Sequence, residues 1–370
     1  MKEHVSSHEK KQFLPGNQKK RVIAIGVVLV LALAFKFIWG PGESAELKSL
    51  VFSGRTMATT WEVKVVDFDF SEKRKALLGE KIQQKLAFVN SQMSPYHEGG
   101  DIYRLNAAKA GEQIKVHREV LDVLNKAIEV SEQTHGAFDV TVGPLIRLWG
   151  FHDKKSLTTE PSTAQIAEAS ARIGYKNIVL DYKNLSIHKR IDGLDVDLSA
   201  IAKGRAVDMV AEVLDAANET NYMVEVGGEI RCRGKNDRGH AWRIGIEKPA
   251  APNARQRSVN RVVSLSDISL ATSGDYRSYY MLHNRRFSHT IDPRTGRPVA
   301  HSLASVSVFT RDCMTADALA TGFTVLGVKE SLRLADKRGI AAYFIEREAN
   351  GFAVTASKAF TAAFGEENDK

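Results

Sequence analysis

Cysteine is scarce: Cys232 and Cys313 are the only two in 370 residues. There is no C-x-x-C and no Cys/His cluster, which excludes a zinc ribbon and a disulfide scaffold. A single bridge between the two stays open, with two separate buried thiols the simpler reading. No cysteine stands near the N-terminus, which excludes a lipid-modified cysteine there. No segment is low-complexity and no period of 20–50 residues recurs, so solenoids and propellers are excluded. A broad excess of charge is also missing. The net charge is +8, but the first forty residues alone hold seven Lys/Arg against two Asp/Glu. The basic balance therefore belongs to the leader, and no nucleic-acid partner is expected.

Long apolar runs are limited to one. Val22 to Trp39 is apolar except for Lys36, and follows Lys10, Lys11, Lys19, Lys20 and Arg21. It is long enough to cross a bilayer, with Lys36 snorkelling beside Trp39. Positive charge ahead of it places the N-terminus in the cytoplasm and the bulk outside. A cleaved signal peptide is the alternative, since Ala32-Leu33-Ala34 fits a small-x-small site. The expected order is a basic tail at 1–21, an anchor (or uncleaved signal) at 22–39, a linker at 40–50, a catalytic domain at 51–365 and a polar tail at 366–370. With 43% apolar residues, that domain can bury a large core.

Along the domain, Phe52 to Val66 alternates as a strand, with a run of small residues, Gly54 to Thr60, inside it. Glu72 to Met93 has helical periodicity and stops at Ser94-Pro95. Val120, Leu121, Leu124, Ile128 and Val130 mark a second helix, closed near Gly136. Gly136 to Pro144 is an extended or turning segment. Ala164 to Ile173 reads as a short helix. Ile178–Leu180, Ser186–His188, Trp242–Glu247, Val262–Leu265 and Leu303–Phe309 read as strands. Tyr222 to Gly234 reads as one strand broken by Gly227-Gly228, either a bulge or a close approach of backbone to ligand. Leu270 to Tyr276 reads as a turn leading towards His289.

Three stretches can carry chemistry. In Arg285 to Pro298, His289 stands three residues before Asp292-Pro293, with Gly296 permitting a left-handed exit. That is either a hairpin turn with a surface histidine or a fixed imidazole for acid–base work. Asp197 to Asp208 reads as strand, turn and helix start, with Ser199 as N-cap. Its free N–H groups and Lys203 suit a phosphate; the bland reading is a capped helix with a solvated lysine. Thr315 to Thr321 opens a helix on which Asp317 and Thr321 share a face, suited either to a hard divalent cation or to local capping.

Taken in order, these stretches resemble the ApbE family, the FAD:protein FMN transferases. The matching patterns are Thr56-Met57, Met93-Ser94-Pro95-Tyr96, Gly136 to Asp139, Asp197-Leu-Ser to Lys203-Gly204, Gly227-Gly228, Thr272-Ser-Gly274 with Tyr276, His289 to Pro298, and Ala316-Asp317 to Thr321. Two features depart from the family's pattern: a helical anchor replaces the common lipoprotein cysteine, and Ala58 replaces a common glycine. The resemblance implies an α+β domain of T-fold-like type. It implies FAD as substrate, held by Met57, Tyr96, Ala137, Phe138, Asp139, Asp197, Lys203 and Ile291. Mg²⁺ is implied at the Ala200 carbonyl, Asp317 and Thr321, with His289 as catalytic base. The implied reaction moves FMN onto a Thr or Ser hydroxyl of a target protein and releases AMP. Subunits of Na⁺-translocating NADH:quinone reductase or Rnf complexes are the implied acceptors. The implied location is a bacterial inner membrane, with the catalytic domain in the periplasm. A Mg²⁺-dependent FAD pyrophosphatase and a non-catalytic FAD-binding protein are the competing readings.

Overall fold

Each strand of the central sheet lies beside the strand that follows it within that sheet, and every pairing is antiparallel. The eight strands are β1 (Lys48–Thr56), β2 (Thr59–Asp67), β3 (Tyr222–Val226), β4 (Glu229–Arg233), β5 (Ile268–Gly274), β6 (Leu303–Thr310), β7 (Ala341–Glu348) and β8 (Gly351–Ala356). They come from a computed structural model that describes residues 47–151, 157–249, 258–275 and 279–366. The expected anchor at 22–39 lies outside the described residues, as does Tyr276. Among the described residues no helix is long and apolar enough to cross a membrane. β1 begins at Lys48, inside the stretch read as linker.

The chemistry-bearing segments are insertions into this meander. Between β2 and β3 run α1 (Glu72–Gln92), α2 (Arg118–Gln133) and α3 (Ala202–Ala216), and between β6 and β7 runs α4 (Cys313–Arg338). Ser71 starts α1 by accepting from the Arg74 N–H at 3.2 Å, and Leu78, Ile82, Leu86 and Val89 bury its apolar stripe. Asp312 caps α4 through the Thr315 N–H at 2.9 Å. Gly327, at φ 75°, breaks α4 midway, and Gly339 closes it left-handed at φ 66°. α4 packs on β5, β6, α2 and α3, so the helices cover one sheet face with a single large apolar core. A second core, with Trp242, Val263, Tyr343 and Phe360, fills the other face. β6 is therefore buried at every position but its last, as a strand covered on both sides must be. Cys232 and Cys313 are both buried and unpaired, as the simpler reading expected.

Three expectations are corrected here. Phe52 to Val66 is two strands, not one: Thr56 pairs with Thr59, and Met57 (φ 46°) and Ala58 (φ 57°) make the two-residue turn. The turn was hidden because residues with side chains hold the left-handed positions that glycine or asparagine ordinarily marks. Gly227-Gly228 is likewise a two-residue hairpin turn, with Val226 paired to Glu229, rather than a bulge. Leu270 to Gly274 is strand, the core of β5, because α4 and β6 flank it and its side chains are packed rather than turned out.

Candidate active site

A cleft of about 350 Å³ opens among the start of α3, the β3–β4 turn, the end of β5, the His289 turn and the first turns of α4. It adjoins a cavity of about 550 Å³, and the two share Ile146, Asp197, Ser199, Lys203 and His289. Ten of the expected residues line the smaller cleft: Ala137, Phe138, Asp139, Asp197, Ala200, Lys203, His289, Ile291, Asp317 and Thr321. Met57 and Tyr96 line the larger. The twelve expected site residues thus line two adjoining cavities, although 113 positions separate Gly204 from Asp317.

The cleft's charge is concentrated at the crossing of α3 and α4. Lys203 Nζ lies 2.9 Å from Glu229 Oε1 and 3.6 Å from Asp317 Oδ1. Burial alone would lower the lysine's pKa, but the charge of Asp317, with Glu229 adding to it whenever that group is ionised, outweighs burial and holds the ammonium charged. Asp317 Oδ2 accepts the Gly204 N–H at 2.9 Å. That bond needs the two helices almost in contact: a Cβ on Gly204 would stand 2.4 Å from the Cys313 carbonyl oxygen and 2.8 Å from Asp317 Cβ.

The start of α3 differs from its expected form. Helical geometry begins at Ala202, and Ile201 occupies the cap position with no side-chain cap. Ser199 is not the N-cap: it stands two residues before the cap position at Ile201, in a turn where Asp197 Oδ1 accepts its N–H at 2.8 Å. Of the N–H groups at this helix start, that of Gly204 is occupied by Asp317, so it orients a carboxylate.

Asp139 shapes the opposite wall. Its Oδ1 accepts the Thr141 N–H at 2.8 Å and hydroxyl at 2.7 Å, and its Oδ2 accepts the Tyr175 N–H at 3.0 Å. Burial raises its pKa, against those three donors. Both oxygens therefore hold the loop that presents Ala137 and Phe138 to the cleft.

The His289 turn has the local chemistry expected of it. Asp292 accepts the Arg294 N–H at 2.9 Å, and its carbonyl accepts the Gly296 N–H at 2.8 Å with Gly296 at φ 69°. Gly296 returns a bond through its carbonyl to the Trp149 indole N–H at 2.8 Å. From Trp149 a series of rings runs back to the imidazole: Phe287 at 5.6 Å, Tyr280 at 5.5 Å, Phe151 at 5.1 Å and His289 at 6.5 Å, between successive centroids. The turn and its histidine are thus clamped from both ends.

Sequence reasoning missed Glu229. It is 3% exposed, it forms the shorter of the two ion pairs to Lys203, and its Oε2 has no hydrogen-bond partner among the described residues. Burial, with Asp317 adding to it and Lys203 opposing, pushes its pKa up to about 8. The available signal was an acid directly behind two glycines. The oxygens of Asp317, Thr321, Ala200 and Glu229 are hard donors lining one cleft, and among the described residues one buried carboxylate oxygen lacks a partner. That donor set fits Mg²⁺, which takes oxygen ligands and retains waters and phosphates.

A half-buried ammonium, a carboxylate, a hydroxyl and a fixed imidazole around one cleft define an enzyme site suited to a phosphate ester or anhydride. Residues 57–344 match the model of the ApbE family. An FAD:protein FMN transferase of Haemophilus influenzae is 41% identical over 342 residues, covering 92% of this chain and 96% of the relative. One from Vibrio cholerae is 40% identical over 339 residues, covering 92% and 97%. The apo crystal structure of the Pseudomonas stutzeri flavinyl transferase ApbE superposes with a TM-score of 0.79 at 35% identity, covering 88% of this chain and all of that one. The chain belongs to the ApbE family.

Proposed function

We propose that this chain transfers FMN from FAD to a Thr or Ser hydroxyl of a target protein, releases AMP and requires Mg²⁺. The observation that carries the reading is that His289 lines the same cleft as Lys203, Asp317 and Thr321. FAD is the substrate. The larger cavity, with Met57, Val89, Met93, Tyr96 and Phe151 on its walls, suits the flavin ring. The smaller, with Lys203, suits the diphosphate.

An aliphatic hydroxyl attacks phosphorus only as its proton leaves, and His289 accepts that proton. The new bond joins the hydroxyl oxygen to the FMN-side phosphorus. The bond that breaks is the anhydride link to the AMP-side phosphate, which leaves with the electron pair. Lys203 meets the charge that builds on the leaving group, and Glu229 and Asp317 hold its ammonium in place. Asp317, Thr321 and the Ala200 carbonyl would hold Mg²⁺, whose chemistry there is to neutralise diphosphate charge.

The acceptors proposed are subunits of Na⁺-translocating NADH:quinone reductase or Rnf complexes. The proposed location is the bacterial inner membrane, anchored through residues 22–39, with the catalytic domain in the periplasm. Incubation with FAD and Mg²⁺, with and without an acceptor polypeptide, tests the reading. Flavin fluorescence covalently fixed to the polypeptide is the expected result. Free FMN and AMP, equally abundant without acceptor, would make the chain a pyrophosphatase instead.

A further inference from the structure

His289 is carried on an insertion that leaves the sheet after β5 and rejoins it at β6, and one buried carboxylate closes the base of that insertion. Asp275 follows β5 directly and is 1% exposed. Its Oδ2 accepts from Arg286 Nη1 and its Oδ1 from Arg347 Nη2. Arg286 Nη2 also donates to the Asp275 carbonyl at 2.6 Å. The two arginines come from different places. Arg286 lies in the strand Arg285–Ser288, three residues before His289, and its guanidinium covers the Tyr279 ring at 4.2 Å. Arg347 lies in β7 of the central sheet.

The same cluster holds the exit of the insertion. Arg347 Nη1 donates to the Leu303 carbonyl at 3.3 Å, and the Arg347 N–H donates to the Ser302 carbonyl at 2.9 Å. The Asp275 N–H donates to the Ala304 carbonyl at 3.1 Å. Entry, middle and exit of the segment bearing His289 are therefore joined through Asp275 to a strand that does not itself line the cleft. Apart from this cluster, the insertion is held by side-chain packing around Trp149, Phe287 and Ile291, by the Trp149 indole N–H on the Gly296 carbonyl at 2.8 Å, and by an exposed Arg285–Glu160 pair at 2.9 Å that solvent screens.

We propose that Asp275 is a positioning residue for FMN transfer: its carboxylate, held between Arg286 and Arg347, fixes the position of the His289 imidazole relative to the cleft. The inference rests on the reading of His289 as the base. It makes Asp275 matter for the chemical step and not for holding FAD, because no described atom of Asp275 lines either cavity. Misplacing a reacting group by about 1 Å costs on the order of 10²-fold in rate.

The test uses the full chain with FAD, Mg²⁺ and an acceptor polypeptide, in four variants: Asp275→Asn, Asp275→Glu, Arg347→Met and His289→Ala. Asp275→Asn should lower kcat roughly 10- to 100-fold while the KM for FAD stays within about twofold. Asp275→Glu keeps the charge and should recover part of that kcat. Arg347→Met loses the link to the sheet and should lower kcat with FAD binding retained. It carries the same criterion if Asp275→Asn does not fold. A kcat within about twofold of wild type in folded Asp275→Asn overturns the proposal. So does a fall in kcat matched by an equal rise in the KM for FAD. His289→Ala separates the two claims: transfer surviving there refutes the base assignment, whereas a dead His289→Ala beside an unimpaired Asp275→Asn refutes only the positioning.

Discussion

Replacing Gly204 by alanine tests the geometry of the charged cluster directly. In an isolated helix the change would stabilise by about 1 kcal/mol, because glycine is the poorer helix former. Gly204 has no positive φ, so backbone conformation does not oppose it. Space does. The added methyl would meet the Cys313 carbonyl oxygen at 2.4 Å, the Cys313 carbonyl carbon at 2.7 Å and Asp317 Cβ at 2.8 Å. None of these is the far end of a flexible side chain, so α3 and α4 must part by roughly 1 Å to reach ordinary contact. Overpacking of this kind costs about 1–3 kcal/mol, which leaves a net loss of about 0–2 kcal/mol after the helical gain. The catalytic loss should be larger, because the movement separates Lys203 from Asp317 and stretches the Gly204 N–H bond. About 100-fold in kcat is expected for a displacement of this size. Urea denaturation gives the first quantity and steady-state FMN transfer the second. A variant more stable than wild type by the helical gain, with unchanged kcat, would refute the close-approach argument.

Three further substitutions probe separate parts of the site. Ala58→Gly removes a left-handed strain of about 1–2 kcal/mol at φ 57°, less about 0.5–1 kcal/mol of added chain entropy, so its urea midpoint should rise slightly; a lower midpoint contradicts the turn assignment. Glu229→Gln bears on pH. A carboxyl raised from 4.5 to about 8 in the folded state gives stability that is complete below pH 4.5 and lost as pH rises to about 8. Wild type without Mg²⁺ should therefore lose thermal stability across that window more steeply than Glu229→Gln, and equal slopes would contradict the buried acid. Asp317→Asn should raise the Mg²⁺ concentration for half-maximal transfer at least about tenfold; an unchanged Mg²⁺ titration refutes the metal assignment.

How far the site could be read from sequence depended on how locally each part is determined. The His289 turn was legible because Asp292, Pro293 and Gly296 fix it within a few residues. Asp317 and Thr321 were legible because one helical turn puts both on a single face. Glu229 was not, since its meaning arises only when the β3–β4 hairpin sets it against Lys203 from another element. Asp275 was hidden for the same reason, with Arg347 lying 72 positions away. Ser199 was misassigned because the cap position falls two residues later, at Ile201, whose apolar side chain gives no capping signal. The meander order of the sheet was beyond periodicity altogether, because pairing of β2 with β3 spans six intervening α-helices among the described residues.

The convergence of imidazole and cation-binding oxygens on one diphosphate is tested most directly by mass spectrometry of an acceptor polypeptide incubated with FAD, Mg²⁺ and either wild-type chain or His289→Ala. Wild type should add FMN at a single Thr or Ser and release one AMP for each acceptor labelled, whereas His289→Ala should still bind FAD and leave the acceptor unlabelled. Labelling by His289→Ala at the wild-type rate would contradict the account.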